Sequence, residues 1–264
     1  MKSYDLIIKN AQIHTMDEDR KVYAKGIIGI EGEKITLIKE MNELTPEELQ
    51  ECEGAGRVID AEGKVVFPGF IDTHIHIFQS FLKGLGADHR LIEWLNLSAL
   101  PYGQYMTPHQ HELAAQLACM EAIKSGCTTM SEFFYTNQNS ELAHSCIEGM
   151  VSTGIRSVFI RTFQDTGEEY GMPKCFLEPV GKAMKEVDAL KKAYKENDML
   201  SIWTGPDVTW STTKEGYQEM LEYCLNENVR YSMHIKETEV DNEMCGRYYG
   251  KDICLLYTSP SPRD

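Results

Sequence analysis

The chain has 264 residues, with 42% apolar and 25% charged side chains and a net charge of −15. That is enough for one large core or two unequal ones. The acidic balance, with no basic cluster to track phosphates, argues against nucleic acid and anionic membrane as partners. No stretch reaches the roughly 20 apolar residues that span a bilayer, so the expectation is a soluble, cytoplasmic protein. The eight cysteines, at 52, 119, 127, 146, 175, 224, 245 and 254, form no C-x-x-C pair. Neither a zinc ribbon nor a redox motif is suggested, and in a reduced cytosol they are small apolar fillers.

In chain order, Leu6-Ile7-Ile8, Ala11-Gln12-Ile13-His14-Thr15 and Gly26-Ile27-Ile28-Gly29-Ile30 read as strands. Glu31-Gly32-Glu33-Lys34 is a turn signal before Ile35-Thr36-Leu37-Ile38. Residues 41–56 read as an acidic loop, and Val58 to Lys64 leads into a strongly apolar strand. From residue 65, strands and helices alternate, as in parallel βαβ units. Strand one, with Val65, Val66, Phe67, Phe70 and Ile71, is expected to be buried on both faces. Thr107-Pro108 then opens a helix. Strand two lies near Thr128–Phe134, followed by a helix over about 138–153 that Gly154 stops. Strand three is Arg156–Phe163, with a helix over about 178–196. Strand four is Leu200–Trp203, with a helix over about 214–227, and strand five is Arg230–Ile235. Beyond it the pattern fades.

Strand one ends in Phe67-Pro68-Gly69-Phe70-Ile71-Asp72-Thr73-His74-Ile75-His76. Side chains two apart on a strand share a face, so His74 and His76 can reach one point, as a chelated metal requires. By itself a His-x-His pair equally suits two polar residues closing a strand. The run resembles the first-strand motif PG-[FL]-[IV]-[DN]-x-H-x-H of the amidohydrolase superfamily. Gln79 to Leu85 and Ile92 to Leu95 resemble the branch that holds the S-adenosylhomocysteine/methylthioadenosine deaminases and the triazine hydrolases. The resemblance runs from about residue 4 to about residue 253.

The expected fold is α/β: an incomplete TIM-like (β/α)8 barrel over 65–253, preceded over 1–64 by part of a small β-sandwich-type domain. About five βα units are legible, and an eight-stranded barrel needs about 250 residues. The resemblance therefore implies that strands six to eight are missing, with a His after strand six and an Asp ligand after strand eight. The terminal residues 254–264 read as a non-native or disordered tail, resembling adaptor read-through at the end of a gene fragment. A fragment with open sheet edges is expected to be unstable and inactive alone.

His234-Ile235-Lys236-Glu237-Thr238 resembles the family's H-x-x-E-T signature. This implies His74, His76 and His234 as ligands of one divalent ion, Zn²⁺ or Fe²⁺, and Glu237 as the catalytic proton carrier. Arg161, Asp207 and Trp94 are the candidate substrate contacts, although many of those deaminases carry His where Asp207 stands. His109 and His111 start a helix, where residues two apart diverge; His14, His89 and His144 have no constellation. The implied activity is hydrolytic deamination of a heteroaromatic amine (adenosine-type nucleoside, guanine, pterin or triazine). The partner is that small heterocycle, and a homo-oligomer is left open for the full-length enzyme. A cyclic-amide hydrolase of hydantoinase or dihydroorotase type is the alternative, but Leu200 to Pro206 lacks the Lys that bridges two metals there. An inactive metal-binding fragment is the third reading.

Overall fold

A computed structural model describes residues 4–252 and residue 254. The expected tail, 254–264, therefore lies outside the described residues except for Cys254. Two compact units separate between Gly69 and Phe70.

In the N-terminal unit, β1 (Leu6–His14), β2 (Val22–Glu31) and β3 (Lys34–Glu40) form an antiparallel meander. Helix α1 (Pro46–Glu53) follows, then β4 (Arg57–Asp60) and β5 (Val65–Val66), which both pair in parallel with β1. Where a β-sandwich-type domain was expected, the described residues form one five-stranded sheet. The acidic stretch expected as a loop contains α1. Its signal was present: Thr45 accepts from the Glu48 N–H, the Glu48 carboxylate accepts from the Thr45 N–H, and Pro46 sits at the first helical position.

Val65 and Val66 belong to this sheet and not to the strand that carries the histidines. Pro68, without an N–H, and Gly69 interrupt the run. The histidine strand is β6 (Phe70–Ile75), and it is not buried on both faces: Phe70 is 60% and Ile71 63% exposed. It is an edge strand, paired with β7 on one side and with no other strand among the described residues.

After β6 the chain leaves the sheet in a 3-10 turn, Ile77–Leu82. Two short helices, α2 (Leu91–Trp94) and α3 (Leu100–Gly103), follow, joined by a π-helical turn over Leu95–Ala99. Helix α4 (Pro108–Lys124) opens with a capping box between Thr107 and Gln110. Then come β7 (Cys127–Phe134), α5 (Ser140–Ser152), β8 (Arg156–Phe163), α6 (Val180–Ala193), β9 (Leu200–Pro206), α7 (Lys214–Glu227) and α8 (Glu239–Tyr249). Strands β6-β7-β8-β9 form one parallel sheet in sequence order, an arc of the barrel type. The core cluster includes Phe133, Phe134, Phe159, Ile160 and Trp210.

The expected fifth strand is reduced to a bridge, Thr204 with Tyr231. Thr204 N–H donates to the Arg230 carbonyl at 3.1 Å, and its own carbonyl accepts from Ser232 N–H at 3.0 Å. The next residue of β9 on that edge is Pro206, which has no N–H to continue the ladder. Gly205 permits the close approach, since a Cβ there would fall 1.7 Å from the Ser232 carbonyl oxygen. Among the described residues, no helix is long and apolar enough to cross a membrane.

Candidate metal centre

Two segments converge on one point. His74 lies on β6, His76 just past it, and His234 at the end of the segment bridged to β9. Their Nε2 atoms stand 3.3 Å (His74–His76), 3.1 Å (His74–His234) and 3.1 Å (His76–His234) apart. Ligands at 2.0–2.1 Å from a tetrahedral ion stand about 3.3 Å from each other. Among the described residues this is the single group of three or more His, Cys, Asp or Glu placed to hold a metal ion.

The other ring nitrogens settle the protonation. His76 Nδ1 lies 2.9 Å from the Phe133 carbonyl and His234 Nδ1 2.8 Å from the Asp207 carbonyl. A carbonyl only accepts, so both Nδ1 atoms carry the proton and both Nε2 lone pairs point inward. Burial drives the His76 pKa down to about 3, with His234 adding to the effect. Burial also lowers that of His74, again with His234 contributing. For His234, burial lowers the pKa but the hydrogen bonds and charge of Asp207 outweigh it, and the net shift is upward. Converging lone pairs on desolvated imidazoles repel unless a cation sits among them, so the donor set fits a divalent metal.

The Phe133 ring packs on all three imidazoles, with centroids 5.0, 5.6 and 4.5 Å from His74, His76 and His234. Tyr135 packs edge-on against His76 at 4.9 Å, its hydroxyl accepting from Gln79 Nε2 at 2.9 Å. Phe133 of β7 and Tyr135 just past its end thus wall the site. Sequence reasoning did not single out Phe133 or Tyr135, although period-2 alternation from either one gives the other.

Glu237 follows Lys236, whose φ of 53° is left-handed. It ends just before α8, where Thr238 N–H donates to Asp241 at 2.6 Å. The residue is exposed, yet partial desolvation of its carboxyl raises the pKa above the ordinary glutamate value. His234 opposes this, and Asp241 and Asp207 add to it.

Of the expected substrate contacts, Asp207 comes to the site but through His234. Its carbonyl takes the Nδ1 proton, one carboxylate oxygen lies 3.5 Å from the same nitrogen, and the other accepts from Gln164 Nε2 at 3.1 Å. Gln164 Nε2 also donates to the Tyr135 carbonyl at 3.1 Å, tying the ends of β7 and β9 together. Trp94 is half-buried in α2; its indole N–H donates to the Leu85 carbonyl at 3.2 Å and its ring packs on the core.

Arg161 is a correction. It pairs in register with Phe134 and Thr204, whereas Phe133, which faces the histidines, pairs with Ile160. Strand alternation therefore puts Arg161 on the opposite face. There its guanidinium binds Glu178 and Glu186 and donates to the Thr162 carbonyl at 2.8 Å. Arg161→Ala strands two carboxylates whose side chains are only 3% and 13% exposed. The expected cost is about 3–5 kcal/mol of stability in a urea melt, with zinc affinity unchanged. A loss of zinc affinity would place Arg161 at the metal centre after all.

His111 is buried in α4 with neither ring nitrogen hydrogen-bonded, and burial lowers its pKa to about 4. Its rings of contact are Phe78 and Phe134, away from the three converging histidines.

A family model described as the amidohydrolase family matches residues 65–258. The 5-methylthioadenosine/S-adenosylhomocysteine deaminase of Bacillus cytotoxicus is 27% identical over 259 residues, covering 96% of this chain and 56% of that protein. The protein of the same name from Bacillus cereus is 29% identical over 243 residues, covering 92% and 52%. The chain thus spans about half the length of the curated relatives it matches. Among solved structures, an adenosine deaminase from Xanthomonas campestris with bound zinc superposes with a TM-score of 0.82 at 15% identity, covering 97% of this chain and 54% of that one. Atrazine chlorohydrolase from Arthrobacter aurescens TC1 complexed with zinc gives 0.80 at 21% identity, covering 95% and 57%. These likenesses carry the fold.

Proposed function

The chain belongs to the amidohydrolase family, and from that premise we propose that it serves metal-dependent hydrolytic deamination of a heteroaromatic amine. The observation that carries this reading is the convergence of three histidine Nε2 atoms at 3.1–3.3 Å. His74, His76 and His234 would hold one divalent ion, zinc by its preference for imidazole and by the zinc-bound relatives. Such an ion supplies a nucleophilic water at neutral pH and polarises the reacting carbon's substituents.

The rest falls to the side chains. The Phe133 and Asp207 carbonyls keep His76 and His234 in the tautomer that binds. Glu237 gives a proton to the ring nitrogen beside the amine-bearing carbon as water adds there. One proton of the added water returns to Glu237 and the other passes to the amine; the carbon–nitrogen bond then breaks, ammonia leaves and a ring carbonyl remains. A carboxyl with a raised pKa suits that task, because proton transfer is most effective when donor and operating pH are close. Phe133 and Tyr135, both buried, pack against the histidines and keep water from that side of the site. Among the described residues no disulfide joins the cysteines, which fits a cytoplasmic setting.

The test is ammonia release by the zinc-loaded full-length enzyme from 5-methylthioadenosine, S-adenosylhomocysteine, adenosine, guanine and an aminotriazine. We expect release from at least one purine, and none from metal-free protein. Zinc-dependent opening of a cyclic amide with no ammonia from any amine would replace this reading by the cyclic-amide one.

A further inference from the structure

We propose that Glu132 is a positioning residue of the metal centre: its carboxyl, on the sheet face opposite the histidines, holds the Ile77 backbone N–H and so fixes where His76 points. This rests on the reading that His74, His76 and His234 bind a metal.

Glu132 adjoins Phe133 on β7, and Phe133 faces the histidines, so Glu132 faces the helices. It is fully buried there, and one carboxyl oxygen accepts from Ile77 N–H at 2.7 Å. Ile77 is the first residue of the 3-10 turn, and His76 before it offers no side-chain cap. The first N–H groups of a helical turn have no partner within it. Glu132 supplies one from another strand. His76 is thereby held twice by neighbouring residues of β7: its Nδ1 by the Phe133 carbonyl, its backbone exit by the Glu132 side chain. The chain pivots there, from the histidine face into the core where Ile77 and Phe78 are buried.

The second Glu132 oxygen has no hydrogen-bond partner. A buried, half-satisfied carboxyl is a cost that packing alone does not require. Burial keeps the group protonated up to a pKa of about 8. Glutamine offers a carbonyl oxygen of the same reach to the Ile77 N–H, and leucine offers none.

Zinc affinity by chelator competition, the visible spectrum of the cobalt-substituted protein and a thermal melt are to be measured for wild type, Glu132→Gln and Glu132→Leu. Glu132→Gln should keep the wild-type affinity and spectrum. Glu132→Leu should bind zinc roughly 10–100-fold more weakly, with shifted cobalt bands, as loss of an outer-shell support does. A folded Glu132→Leu with wild-type affinity overturns the proposal, as does Glu132→Gln losing as much as Glu132→Leu. Should Glu132→Leu not fold, Glu132→Gln decides: retained affinity together with a slowly exchanging Ile77 amide upholds the role, and a tenfold loss overturns it. Wild type that binds no zinc would instead bring down the metal reading itself.

Discussion

In the full-length enzyme, Glu237→Gln is expected to lower kcat for ammonia release by about 10²–10⁴-fold, the usual worth of general acid–base help. Glutamine keeps the size and much of the hydrogen bonding, and it removes only the exchangeable proton. The carboxyl lies near His234, whose charge opposes the rise in its pKa, and the left-handed Lys236 separates the two along the chain. Glu237 is not among the three converging ligands, so the variant should bind zinc like wild type. The pairing of kcat with metal content is what makes the test sharp. Near-normal turnover would give the proton to another group, and lost zinc would make Glu237 a structural support of the site.

His234→Ala should abolish tight zinc binding. Supporting residues around a metal ligand already cost roughly 10–100-fold when lost, and loss of a ligand must cost more. Zinc at about 100 times its Kd adds about 2.7 kcal/mol to wild-type stability by mass action. For a chain of this size that corresponds to a rise in Tm of about 5–11 °C. The variant should show no zinc-dependent rise, and His76→Ala should behave alike, since its Nε2 stands 3.1 Å from that of His234. An unaltered zinc Kd in His234→Ala would sink the three-histidine site and leave the His-x-His pair of β6 as a strand end.

Much of the secondary structure was legible because its signals are local. Strand Arg156–Phe163 and helix Lys214–Glu227 fall where apolar period and caps place them, with Thr213 accepting from Gly216 N–H at the helix start. Helix α8, Glu239–Tyr249, was missed although Met244, Cys245, Tyr248 and Tyr249 keep helical spacing and Thr238 and Asp241 form a capping box. The turns after His76 were missed because 3-10 and π segments follow no simple spacing. The burial expected for β6 failed for a different reason: apolar content reports what a strand can cover, while exposure depends on which strands pair with it.

The sequence by itself determined the pair His74 and His76, because a period of two residues puts both on one face whatever surrounds them. It also determined the alternation of strands and helices, and through the H-x-x-E resemblance it pointed to His234 and Glu237. Only the tertiary structure decided that three Nε2 atoms meet within 3.3 Å across a separation of 158 residues. It alone turned Arg161 to the helices, put the Asp207 carbonyl behind His234, and set Glu132 under Ile77. The physical reason is range. Capping and periodicity act over about four residues, whereas the face a side chain occupies and the group it meets there follow from sheet register between strands far apart in the chain.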